Sequence, residues 1–240
     1  MPSPMNLPEL RQKLRETATP AQADIARRFF KTGPGEYGEG DRFLGLKVPQ
    51  IRAELLHTDA LSEADVLDLL HSEWHEERLL ALLVLGRRFS RAKKDTAAQQ
   101  RLVSLYLANT KWINNWDLVD SSAPHILGAW LLQRDRAVLD TLAASASLWE
   151  QRIAILATQA FIRAGDFADT LRLSALFLSH PHDLMHKACG WMLREVGKRD
   201  VKRLLTFLDQ HVAKMPRPML RYAIEKPPEK PRQAYLAMKL

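Results

Sequence analysis

The ten residues from Lys111 to Asp120, KWINNWDLVD, hold the densest set of groups suited to chemistry. Trp116 and Asp120 stand four residues apart, so on a helix the indole and the carboxylate leave the same face. A carboxylate beside a large aromatic ring sets fixed negative charge next to a cation, or next to positive charge developing in a transition state, where little water competes. A salt bridge to an arginine of a neighbouring helix would use the same carboxylate for structure alone, and the residues by themselves leave both readings open. Asn114 and Asp117 have capping spacing. That predicts a helix start there and makes Asp117 a first-turn carboxylate complementing the helix dipole rather than a catalyst.

A second set lies in KACGWMLR, where Lys187, Trp191 and Arg194 share a helical face at i, i+4 and i+7. Gly190 leaves room for another surface to approach, and Trp191 either meets that surface or packs in the core. Arg152, three residues after Trp149, suits a phosphate or an acidic partner equally. Two histidine pairs, His71 with His75 and His182 with His186, have i, i+4 spacing, the second within H-D-x-x-H. A zinc hydrolase also needs a third ligand and a placed general base, which the sequence does not identify, so neither metal nor cofactor is expected. The single cysteine, Cys189, excludes an internal disulfide and a four-thiolate zinc site, and its apolar helical neighbours make it a buried, inert thiol. A P-loop and a G-x-S-x-G elbow are both missing, which leaves phosphoryl transfer and serine hydrolysis without support.

These side chains need helices to position them, and the chain is rich in helical signals. Its 240 residues are 46% hydrophobic, enough for a sizeable core, and no alternating Val/Ile/Thr-rich run reads as a strand. Ala21–Lys31 and Pro49–His57 read as amphipathic helices around a glycine-rich loop, Gly33–Gly45, and Ser62–His71 opens with Ser62 and Asp65 in capping-box spacing. HEERLLALLVLGRRF, WEQRIAILATQAFI and MHKACGWMLREVGKR share a charged start and an apolar stripe. Anchors at Arg78, Asp117, Arg152, Lys187 and Arg217 recur at 39, 35, 35 and 30 residues, the range of two-helix solenoid repeats. The expected fold is therefore all-α, a HEAT-like helical-repeat superhelix in one domain over 1–240, with residues 1–20 less ordered; an irregular helical bundle is the alternative.

Charge points to a partner. Met185 to Leu240 carries thirteen basic and five acidic residues, a net +8, against 22 and 23, a net −1, in the remainder. Such an excess suits a polyanion, because clustered Lys and Arg displace counterions from phosphates, and by itself it suits simple solubility equally well. There is no signal-like apolar core of roughly 7 to 15 residues at the N-terminus and no run near the roughly 18 apolar residues of a membrane span. A cytoplasmic protein without a membrane partner is expected.

The runs TKWINNWDLVDSSAPHILG, LWEQRIAIL, KACGWMLREVGK and MPRPMLRYAIEK, with FFKTGPGEYGEGDRFLGLKVPQIR upstream, closely resemble the AlkD-like DNA glycosylases of the DNA alkylation repair family, from about Phe29 to Tyr235. The resemblance implies a superhelix whose concave basic face grips double-stranded DNA, and a monomeric enzyme that hydrolyses the N-glycosidic bond of cationic purines such as 3-methyladenine and 7-methylguanine. It places the catalytic aspartate at Asp120 and the two tryptophans that approach the lesion's sugar at Trp116 and Trp191. Arg152 and Arg194 fall where the family holds the backbone; Lys187 and Arg221 extend that basic surface. Adjacent aromatics can occur in the family where this chain has Asn115-Trp116, which leaves Trp112 without a role. No lysine is placed as a Schiff-base nucleophile, so hydrolysis without strand cleavage is expected. A noncatalytic HEAT-like module that binds nucleic acid or protein is the alternative.

Overall fold

A computed structural model describes residues 3–225, 233–235 and 237. Of the basic end, Lys226, Lys230, Arg232 and Lys239 lie outside the described residues. Among the described residues the fold is all-helical, with one isolated bridge between Arg42 and Trp74 and no strand. The chain divides into two compact units, Met1–Ser122 and Ala123–Leu240.

In the first unit α1 is Leu7–Thr17, α2 Pro20–Phe29, α3 Val48–Ala53, α4 Glu63–Leu70, α5 His75–Arg91, α6 Thr96–Ala108 and α7 Trp116–Ser122. Within the stretch 1–20, expected to be less ordered, the structure has α1. Asn6 and Glu9 form a reciprocal capping box, each side chain accepting the other's amide at 3.0 Å, and Leu7, Leu10 and Leu14 are buried. The capping box at Ser62 and Asp65 starts α4 as predicted. The stretch read as a helix over Pro49–His57 is instead the short α3, tightened into a 3-10 turn over Glu54–Ala60.

Helix α5 is the hub of this unit, with α3, α4, α6 and α7 packed on it. Its apolar stretch Leu79–Leu85 is buried, and so, unexpectedly, are the four polar residues at its start, His75, Glu76, Glu77 and Arg78. Buried charge must find partners, and between them the four reach α1, the glycine-rich loop, the turn before α5 and α7. Glu76 accepts the amides of Leu44, Gly45 and Leu46 at 2.9, 2.8 and 3.2 Å. Glu77 accepts from Arg11 of α1 at 2.9 Å, and Arg78 donates to the Ser72 carbonyl at 2.9 Å and to Asp41. Through these bonds α5 fixes the glycine-rich loop. Gly45, at φ 100°, is required there, since a Cβ would lie 2.1 Å from the Thr19 carbonyl oxygen.

In the second unit a π turn, Pro124–Gly128, leads into α8 (Ala129–Leu131), followed by α9 (Ala137–Ala143), α10 (Leu148–Arg163), α11 (Ala168–Leu176), α12 (Asp183–Arg199), α13 (Val201–His211) and α14 (Arg217–Ala223). Helix α10 gathers the π turn, α9, α11 and α12, and α12 in turn carries α13 and α14. The room at Gly190 is taken by α14: a Cβ there would lie 2.4 Å from the Met219 carbonyl oxygen and 2.6 Å from the Tyr222 Cβ. The approaching surface is thus the protein's own α14.

Candidate active site

Helix α7 carries Trp116 and Asp120, and it is held at both ends. At its first turn, Asp117 Oδ1 accepts the Leu118 amide at 2.9 Å and Oδ2 meets His75 Nε2 at 2.8 Å. The expected cap at Asn114 is corrected: Asn115 Oδ1 accepts the Trp116 amide at 2.8 Å, while Asn115 Nδ2 donates to Asp41 at 3.1 Å. One residue's difference arises because Asn115 can reach the buried Asp41. At the last turn, Ser122 Oγ donates to the Leu118 carbonyl at 2.6 Å, so its oxygen is left to accept from the buried Tyr106 hydroxyl at 3.1 Å. Asp120 lies between these two anchors.

His75 is the centre of the first anchor. Nδ1 meets Asp41 at 2.9 Å and Nε2 meets Asp117 at 2.8 Å; both partners are carboxylates, which accept, so both ring nitrogens carry hydrogen and the ring is an imidazolium. Burial works against that charge, but Asp117 and Asp41 outweigh it and push the ring up to about 9. Burial would likewise raise the Asp41 carboxyl, yet His75, Arg78 and Asn115 hold it below the usual carboxylate range. A group raised in the folded state stabilises the fold fully below its unfolded value and loses that effect as pH rises through the folded value. The rise from 6.5 to about 9 corresponds to about 3 kcal/mol, lost as pH climbs through about 9. Urea unfolding midpoints should therefore fall between about pH 7 and about pH 10; a flat midpoint across that range would contradict a charged His75.

Trp116 and Asp120, both half-buried, open on one cleft of about 480 Å³. Its other walls are mainly apolar and come from α2, the loop, α3 and the start of α5, including Phe29, Phe30, Phe43 and Val48. Phe30 stacks on Trp116 at 5.3 Å and on Phe43 at 5.1 Å, and both phenylalanines lie against the His75 ring, at 4.9 and 4.7 Å. Phe29 meets the Trp116 ring edge-on at 5.8 Å and is 62% exposed. The arrangement sets a carboxylate at an aromatic wall in a largely apolar cleft. Such a site favours positive charge brought to Asp120.

The remaining predicted residues belong to the second unit. Trp191 is half-buried on α12 and its indole nitrogen donates to Glu195 at 3.2 Å. Lys187 pairs with Asp183 at 2.5 Å, Arg194 pairs with Glu225, and Arg221 is exposed on α14. Arg152 is 5% exposed and Nη1 donates to the Leu184 carbonyl at 2.7 Å, so its guanidinium sits beneath the start of α12 rather than at the surface. Burial pushes the Cys189 thiol up to about 12, as an inert thiol requires. The histidines of H-P-H-D build the entry to α12: His182 Nδ1 accepts the Leu184 amide at 3.1 Å, and His186 Nε2 lies 2.5 Å from the His180 carbonyl. His71 Nε2 meets Asn109 at 2.7 Å. Among the described residues, no three His, Cys, Asp or Glu side chains gather in a way that would hold a metal ion.

The sequence pattern did not single out Phe29, Phe30, Phe43, Asp41 or His75 as parts of this site. The usable signal was a buried-charge one: HEER opens a helix with four polar residues and no room for all of them on one solvent face. No helix of the described residues is long and apolar enough to cross a membrane. A family model described as DNA alkylation repair enzyme matches residues 10–226. No curated protein matches the chain.

Proposed function

The chain belongs to the DNA alkylation repair enzymes, and from that premise we propose that it is a monofunctional glycosylase acting on cationic alkylated purines, 3-methyladenine and 7-methylguanine, in duplex DNA. The observation that carries the reading is that Trp116 and Asp120, four residues apart on α7, line the same largely apolar cleft. A purine alkylated at N3 or N7 is already positive and leaves without being protonated. As the glycosidic bond breaks, its electron pair passes to the purine and the positive charge passes to the deoxyribose. Asp120 stabilises that oxocarbenium character and orients the water that adds at C1′, while Trp116 and Trp191 offer aromatic faces to the sugar. The reaction calls for neither metal nor cofactor.

The reading takes the helices as one HEAT-like superhelical domain over 1–240 with a concave basic face, acting as a cytoplasmic monomer. Lys187, Arg194 and Arg221 meet phosphates there, the first two exchanging Asp183 and Glu225 for the backbone. Arg152 supports that surface by holding the start of α12, which carries Lys187, Trp191 and Arg194. Incubation with methylated duplex DNA is expected to release free 3-methyladenine or 7-methylguanine and leave the strand uncut. Binding without release above the spontaneous rate would favour the noncatalytic module instead.

A further inference from the structure

We propose that His75 is a positioning residue for the proposed reaction: as an imidazolium it clamps the first turn of α7 and so aims Trp116 and Asp120 into the cleft. The inference rests on the glycosylase reading only for its kinetic consequence. Its structural basis is a double link. One link is Nε2 to Asp117, the residue directly after Trp116 and three before Asp120. The other runs through rings, from the His75 imidazole to Phe30 at 4.9 Å and from Phe30 to the Trp116 indole at 5.3 Å. Nδ1 to Asp41 fixes the imidazole itself, since Asp41 is tied to Arg78 and Asn115.

A neutral imidazole has one N–H and can satisfy only one of the two carboxylates. Loss of the proton therefore releases either the loop or α7. The charged groups around the ring are Asp41 from the loop, Asp117 from α7, and Glu76 and Arg78 from α5 itself. Asp120 and Lys47 line the same cleft. Glu76 is occupied by three loop amides and Arg78 by Asp41 and Ser72, which leaves the two aspartates as the ring's direct partners. The ring is held charged until about pH 9, so activity should decline on the alkaline side where His75 loses its proton, well away from any carboxylate titration. Asp117→Asn is the informative variant. Its side-chain amide can donate to a neutral Nε2 while Nδ1–H still serves Asp41, so the clamp survives without the charge and the alkaline decline should disappear.

The test combines three readings on the full chain. Ring-nitrogen NMR of His75 follows its titration, the Trp116 indole resonance, assigned with Trp116→Phe, reports the position of α7, and single-turnover release of 7-methylguanine reports function. In the wild type all three should change together with a midpoint near 9, with release falling at least about 5-fold. Asp117→Asn should uncouple the Trp116 resonance and the release rate from the His75 ring. His75→Gln should lose at least about 10-fold in release, and if it fails to fold, the Asp117→Asn comparison still decides. Release that ignores the His75 titration, or a ring already neutral at pH 8, overturns the proposal. If no base is released at any pH but His75 and Trp116 titrate together, the glycosylase reading fails and the clamp stands.

Discussion

Asp120→Asn is expected to lower base release from methylated duplex DNA by about 100-fold or more while leaving DNA binding within a factor of about two. The substitution keeps the shape of the side chain and removes only the charge that, in the proposed reaction, stabilises the developing oxocarbenium. Two other carboxylates line the same cleft, and neither is placed to substitute. Asp117 is engaged by His75 and by the Leu118 amide, and Glu76 by the amides of Leu44, Gly45 and Leu46. Single-turnover assays at saturating enzyme separate the chemical step from binding. A loss smaller than about 5-fold would remove Asp120 from the catalytic role.

Glu76→Gln should cost about 3 kcal/mol of stability. The wild-type carboxylate is 2% exposed and accepts three loop amides with two oxygens. The variant must replace one oxygen with an NH2 group that faces donors, leaving at least one buried amide without an acceptor. Because those amides belong to residues flanking Phe43 and including Leu46, the loss falls on the cleft wall. A urea midpoint would record it, and a shift below about 1 kcal/mol would show that the loop is held mainly by its apolar side chains.

The local rules of helix formation were legible. The Ser62 box, the Trp116 and Asp120 spacing and the buried Cys189 all follow from residue type and offset, because their physics acts within one or two turns. What local spacing could not show depends on partners from afar. His75 stood out only as one of a pair four apart, yet its two bonds go to residues 34 and 42 positions away. Arg152 suits a phosphate or an acidic partner by position, and becomes a buried strut because α12 covers the start of α10. Residues 1–20 read as less ordered, although Pro8 near the start of α1 and the Asn6–Glu9 pair are ordinary helix-entry chemistry.

The polar start of α5 also sets the order in which the first unit can assemble. Helical proteins usually fold fast because most of their contacts are close in sequence. Here the four residues 75–78 need partners 66 positions upstream at Arg11, 34 upstream at Asp41 and 42 downstream at Asp117. Until those loops close, the growing core holds unmatched charge. Completion of this junction should therefore be the slow, cooperative step of folding, and pulse-labelled hydrogen exchange should find the amides of 44–46 among the last to be protected.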